Sequence, residues 1–234
     1  MESAARCCII TGTSQGVGKA LANLCLQNGD IVIGISRAQA LNHPHYHHLS
    51  IDLAERDYIE DQAWDRVLHP MVLATGSKKW LLINNAGVVG PIGHVGTLDA
   101  QAILKSQMIN AVAPFILTNA LIGFAKSERA HLTVLNTGTG ASRKPFEGWS
   151  TYCSTKAATA MLDRVIALEC QSEESVIKLV EFELGAVDTQ MQKEIRESES
   201  EKFPQVQMFK DWKDQGRLIS PETAAQLIFE RCRD

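Results

Sequence analysis

Short apolar runs alternate with segments of helical period along this chain. CCII (7–10) is an uninterrupted apolar run and reads as a buried strand. In VGKALANLCLQ (17–27) apolar residues recur at helical spacing, and Asn28-Gly29 supplies a helix C-terminal signal. IVIGI (31–35) is β-branched and predicts a second strand, and HLSI (48–51) a short third. Residues 55–68 form an amphipathic segment carrying Tyr58, Ile59, Ala63, Val67 and Leu68. WLLIN (80–84) predicts strand four and HLTVLN (131–136) strand five. Between them lies a long helical stretch, 100–124, which Pro114 should kink or split. A strongly patterned helix follows at 151–170, then VIKLVEF (176–182) as strand six. Polar helical pieces continue to Arg233.

Strands that alternate with helices predict a parallel sheet wound on both faces. No repeat and no Gly/Ser linker divides the sequence, so residues 1–234 are read as one α/β domain. The stretch 187–215 is the least core-like, being charged and poor in β-branched residues. It is either a substrate lid or a solvated excursion.

Composition narrows the class. At 234 residues and 45% hydrophobic content the chain can bury a sizeable core. A net charge of −4 offers no basic field for nucleic acid. No apolar run approaches a membrane span, and MESAARCCIITG is too short for a secretory leader. The six cysteines show no CxxC spacing, as expected of a reduced, cytoplasmic protein. HPHYHH (43–48) holds four histidines, but no Cys or spaced carboxylate completes a metal site. It is read as a solvated loop before strand three, and no metal is expected.

TGTSQGVG (11–18) joins strand one to helix one. Gly12, Gly16 and Gly18 allow a sharp turn and let a phosphate approach the N–H groups of a helix N-terminus. Thr13 and Ser14 add hydroxyls, with Gln15 and Val17 completing the turn. This setting predicts dinucleotide binding. An NAD site places a carboxylate at the end of strand two to hold the ribose 2′-OH. Here Ser36-Arg37 stands there, and a guanidinium fork suits a 2′-phosphate, so NADP(H) is expected.

Tyr152 and Lys156 are four residues apart on one helix, hence on one face. A phenol with a pKa near 10 is a reluctant proton donor, and a neighbouring ammonium should lower that pKa. Tyr152 then becomes a general acid in reduction and a base in oxidation.

The spacing TGxxxGxG resembles that of the short-chain dehydrogenase/reductases. Four further landmarks in order strengthen the resemblance: Asp52-Leu53 after strand three, Asn84-Asn85-Ala86-Gly87 after strand four, Asn110 in the next helix, and YxxxK at Tyr152 and Lys156. The resemblance implies a single Rossmann-type domain. It implies coenzyme contacts from Gly12, Ser14, Gln15, Gly16, Val17, Gly18, Ser36, Arg37, Asp52, Leu53, Asn85, Ala86, Gly87, Tyr152, Lys156, Val187 and Thr189. By the same resemblance Lys156 bonds the nicotinamide ribose and Asn110 holds a water behind it. The catalytic set would be Asn110, Thr139, Tyr152 and Lys156.

Three departures stand out. The family's Ser thirteen residues before the Tyr is Thr139 here, which keeps a donor but adds a methyl. Ser142 is a fallback hydroxyl at the wrong spacing. The family's PGxxxT reads Leu184-Gly185-Ala186-Val187-Asp188-Thr189, and loss of the proline suggests a less rigid turn. No strand pattern follows the helix 219–234, so six strands are expected and the usual seventh is missing. A homodimer through helices 100–124 and 151–170 is expected rather than a tetramer.

KPFEGWSTYCSTKAA and AVDTQMQ look closest to the sepiapterin reductase and benzil reductase branch. The resemblance implies an NADPH-dependent carbonyl reductase acting on a small-molecule carbonyl substrate, an α-diketone being favoured. Pterin reduction, 3-oxoacyl thioester reduction and a non-catalytic NADP(H)-sensing regulator are the alternatives. Val88, Val89, Phe146, Trp149 and Met191 either line an apolar pocket or pack the core.

Overall fold

The computed structural model describes residues 5–60, 62–170 and 176–233. Residues 1–4, Asp61 and Asp234, which fall in the leader and helix readings above, lie outside them. The strands are β1 (Cys7–Thr11), β2 (Ile31–Ser36), β3 (Tyr46–Ser50), β4 (Lys79–Asn84), β5 (His131–Gly138), β6 (Ile177–Leu179) and β7 (Phe182–Glu183). All pair in parallel, in the order β3-β2-β1-β4-β5-β6, with β7 also on β5.

β6 and β7 are one pass of chain. Leu179 stands opposite Val134 and Phe182 opposite Thr137, an unchanged register. The sheet therefore has six positions, and among the described residues no strand follows the last helix. β3 begins at Tyr46, two residues before the apolar pattern does, because Tyr46 and His47 pair with Val32 and Ile33. Half of the histidine-rich stretch is thus strand rather than loop.

Alternation along the strands builds two cores. Cys7, Ile9, Ile33, Ile35, Leu82 and Val134 point to one face. There they meet Leu117, Leu121 and Ala125 of α5 (Ala113–Glu128). Cys8, Ile10, Val32, Leu81 and Ile83 point to the other. They are covered by Leu21 and Cys25 of α1 (Gly16–Gln27) and Ile228 and Phe229 of α9 (Pro221–Arg231). Burial on both faces explains the unbroken apolar runs in the sequence.

The amphipathic segment 55–68 is broken. It comprises α2 (Asp57–Glu60), a π-turn at Trp64–Leu68, and then α3 (His69–Ala74). Pro114 acts as expected: α4 (Ala100–Gln107) passes through a π-turn, Met108–Val112, before α5 resumes with the proline in its first turn. One sequence reading needs correction here. The continuous path Ala100–Glu128 is long and apolar enough to cross a bilayer by length and composition. Its Met108, Ala113, Leu117, Leu121 and Ala125 are buried in the core, as in a core helix.

The region 187–215 carries α7 (Gln190–Arg196) and α8 (Val206–Asp214). Its anchor is Trp149, which precedes α6 (Ser150–Glu169). Trp149 stacks on Phe203 with ring centroids 4.6 Å apart and packs at 5.3 Å from Phe209. Val89, Ile195 and Val206 complete this third core. Val89 and Trp149 are therefore packing residues. Val88, Phe146 and Met191 are half-buried.

Candidate active site

The glycine turn, Asp52-Leu53, Asn84–Gly87 and Thr139 lie at or just beyond the C-terminal ends of strands, the side on which doubly wound sheets bind ligands, while Asn110 and the Tyr152–Lys156 pair come from helical segments. After β1, Gly12 and Gly16 adopt φ of +76° and +56°, which side chains other than glycine avoid. Gly18 is required for a different reason. A Cβ there would lie 2.3 Å from the Gly12 carbonyl oxygen and 2.5 Å from Asn85 Nδ2. Helix α1 opens without a side-chain cap or an acidic residue in its first turn, which leaves its leading N–H groups for an anion. These features fit a dinucleotide pyrophosphate.

Asn85 ties the loop after β4 to this turn. Its Nδ2 donates to the Thr11 carbonyl, and Thr11 Oγ1 accepts from the amides of Asn85 and Ala86, all at 3.0 Å. Thr189 closes the other side, its Cγ2 3.6 Å from where a Gly16 Cβ would be. Val187 is buried below it and bridges Ile219. Leu184 donates its amide to the Gly138 carbonyl at 3.2 Å, a bond that proline has no N–H to make. The substitution thus extends the pairing of the strand rather than only freeing the turn.

Other members of the predicted set differ in what they present. Thr13 is fully buried, and its hydroxyl bonds Tyr46 and Ser36, so it is not available as a phosphate donor. The side chains of Val17 and Leu53 belong to the cores, leaving their backbone groups for a ligand. Ser14 is half-buried and Gln15 exposed. Ser36 is buried at the end of β2. Arg37 is exposed, with a long 3.9 Å ion pair to Asp52. An exposed pair of this length is worth little and yields readily to a better anion. Asp52 also accepts from the Ala54 amide.

Tyr152 and Lys156 stand on the first turns of α6 and are both buried. Lys156 Nζ lies 6.0 Å from the Tyr152 ring centroid and donates to the Thr137 carbonyl at 3.0 Å. Thr139, just beyond β5, stands close enough to the Tyr152 phenol to draw its pKa down. Ser142, the fallback, instead bonds the Thr139 carbonyl. Asn110 sits in the π-turn and clamps Val88, donating to its carbonyl at 2.8 Å and accepting from its amide at 2.9 Å. Asn110 also reaches Thr155 of α6, so the π-turn links the loop after β4 to the Tyr152 helix.

The electrostatics differ from the sequence expectation. Burial pushes the Tyr152 phenol up to about 12, partly offset by the neighbouring Thr139 hydroxyl. Burial also pulls Lys156 down to about 8, against the charge of Asp163. Among the chain's own groups desolvation dominates the phenol, with Thr139 opposing it.

A buried polar row beneath Lys156 was missed in the sequence. Thr137 Oγ1 donates to the Asn84 carbonyl, Asn84 Nδ2 to Asn136 Oδ1, and Asn136 Nδ2 to Asp163. Burial raises Asp163 to about 6, with the Asn136 bond and the Lys156 charge opposing. The available signal was the polar pair Asn136-Thr137 at the end of an apolar strand. Gly148 was missed too: at φ +81°, it lets the Lys202 carbonyl come within 2.1 Å of where a Cβ would sit.

The family model described as short chain dehydrogenase matches residues 6–200. A benzil reductase ((S)-benzoin forming) of Bacillus cereus is 34% identical over 229 residues, covering 94% of this chain and 91% of that one. A sepiapterin reductase of Xenopus tropicalis is 28% identical, covering 95% and 89%. Among solved structures, the KRED1-Pglu enzyme superposes with a TM-score of 0.82 at 24% identity, over 96% of this chain and 93% of that one.

Proposed function

Because this chain belongs to the short-chain dehydrogenase/reductase family, oxidoreductases that act on a carbonyl or its alcohol with a nicotinamide coenzyme, we propose that it is an NADPH-dependent reductase of small α-diketones. The observation that carries the reading is the buried Tyr152 phenol with Lys156 Nζ 6.0 Å from its ring and the Thr139 hydroxyl beside it.

The bound coenzyme supplies the hydride. The chain supplies the proton and its control. A phenol held at about 12 is protonated at neutral pH, so Tyr152 starts as the acid that reduction needs. As the proton moves to the substrate oxygen, negative charge grows on Tyr152 Oη. The Lys156 ammonium and the Thr139 hydroxyl then stabilise that charge in a water-poor setting. Asn110 acts on the backbone, holding Val88 and the α6 contact in place.

Two features support the finer assignment. Arg37, exposed and weakly paired at the end of β2, favours a 2′-phosphate and hence NADPH. The 34% identity to a benzil reductase, spread over nearly the whole chain, favours a vicinal dicarbonyl. Region 187–215, packed on Trp149, serves as the substrate lid in this reading. The six cysteines are all free, which fits a cytoplasmic setting. Exposed Leu104, Phe115, Met161, Val165 and Leu168 on α4, α5 and α6 support a homodimer through these helices; sedimentation as a monomer would refute it.

The test is absorbance loss at the NADPH band with benzil, sepiapterin and acetoacetyl thioester, each with NADPH and NADH. Benzil with NADPH should turn over fastest. Preference for sepiapterin or the thioester would reassign the substrate, and preference for NADH would reassign the coenzyme.

A further inference from the structure

β2 ends in a chain of buried hydroxyls that neither the phosphate turn nor the proton machinery explains. Parallel pairing sets Val32, Gly34 and Ser36 of β2 beside Tyr46, His48 and Ser50 of β3. Tyr46 Oη lies 2.9 Å from Thr13 Oγ1, which lies 3.3 Å from Ser36 Oγ. His48 Nε2 lies 2.9 Å from the Ser36 carbonyl and 3.2 Å from Ser36 Oγ. Ser36 Oγ donates to the Ala38 carbonyl at 2.9 Å.

A carbonyl oxygen only accepts, and this orients the chain. Ser36 gives its proton to Ala38, so Thr13 donates to Ser36 and Tyr46 donates to Thr13. His48 must carry its hydrogen on Nε2 to bond the Ser36 carbonyl. Gly34 makes the arrangement possible. A Cβ there would fall 2.2 Å from Tyr46 Oη and 2.6 Å from Thr13 Oγ1. One residue on, Ser50 Oγ donates to the Arg37 carbonyl at 3.3 Å. Successive carbonyls at the end of β2 are therefore held by His48 and Ser50, alternate side chains of β3.

We propose that His48 is a specificity-determining positioning residue for the coenzyme, setting affinity for a 2′-phosphorylated adenosine by clamping Ser36 and so fixing the backbone that presents Arg37. The inference rests on the NADPH reading above. The guanidinium of Arg37 is exposed and its ion pair is long, so its tip is only weakly held among the described residues. Its placement comes from its backbone. The one N–H on His48 Nε2 is shared between the Ser36 carbonyl and hydroxyl, and Ser36 is joined through Thr13 to the phosphate turn. The clamp thus couples the 2′-phosphate position to the pyrophosphate turn, without His48 itself having to touch the ligand.

The test is calorimetric titration of the full chain with 2′,5′-ADP and with 5′-AMP, for the wild type, His48→Ala and His48→Gln. His48→Ala should weaken 2′,5′-ADP about tenfold, corresponding to one lost hydrogen-bonded contact of about 1.4 kcal/mol. Binding of 5′-AMP should change less than about twofold by the same reasoning. His48→Gln restores a donor and should recover 2′,5′-ADP to within about threefold of wild type. If His48→Ala does not fold, His48→Phe keeps the ring volume without the donor and decides the question. Equal loss on both ligands, or no loss on either, overturns the assignment. A wild type that binds the two ligands equally refutes the NADPH reading, and the inference falls with it. A wild type that discriminates, with a His48→Ala that discriminates equally well, refutes the inference alone.

Discussion

Lys156 carries a stability penalty that pH should reveal. Its ammonium is buried, and burial lowers its pKa from 10.5 to about 8. The folded chain holds this proton less tightly than the unfolded chain does. Raising the pH therefore strips the folded state first, from about 8 upward, while the unfolded lysine titrates only near 10.5. Each pH step in that window stabilises the wild type. At about 1.4 kcal/mol per pKa unit the full penalty at neutral pH is about 3 kcal/mol. Lys156→Met removes the titrating group. It also leaves the Thr137 carbonyl without its donor, at a cost of about 1–3 kcal/mol that does not vary with pH. The absolute stability of the variant thus mixes two opposed effects, but its pH dependence isolates one. Urea unfolding at pH 7 and pH 10 should show the wild type gaining about 2–3 kcal/mol relative to Lys156→Met over that interval. A difference between the two proteins that stays constant with pH would show that Lys156 is not desolvated, and would remove the basis for its action on Tyr152.

Thr139→Ser should retain kcat/KM within about threefold, since the donor to Tyr152 survives, whereas Thr139→Ala should lose about a hundredfold or more as the donor to the growing charge disappears; steady-state kinetics on benzil check both. Gly18→Ala places a Cβ 2.3 Å from the Gly12 carbonyl oxygen, so coenzyme affinity by fluorescence titration should fall at least about tenfold and the melting temperature should drop.

The strands and the proton pair were legible because each depends on local sequence. Strands buried on both faces force runs such as WLLIN, and two functional groups on one helix face force an i, i+4 spacing. The glycines at 12, 16 and 18 were legible for the same reason, though they serve two purposes: positive φ at the first two and close packing at the third. Other features depend on residues far apart in sequence. Trp149 meets Phe203 and Phe209 only once α7 and α8 fold back, so the lid core has no local signature. The π-turn at Met108–Val112 leaves the apolar pattern of the helix nearly unchanged, yet it places Asn110 against Val88. β3 was read two residues late because Tyr46 sits between polar histidines, although its side chain is buried. The phenol was expected to be acidified by its lysine, and burial reverses that in the chain alone. Burial of a hydroxyl is a tertiary property that spacing does not reveal.

The central claim is that Tyr152 delivers the proton to a carbonyl. The most direct measurement is NADPH oxidation with benzil by wild type and Tyr152→Phe, with the NADPH dissociation constant of each measured in parallel. The account predicts that kcat falls by about 10²-fold or more while NADPH affinity stays within about threefold. A Tyr152→Phe protein that turns over benzil within threefold of wild type, with coenzyme bound normally, would contradict it.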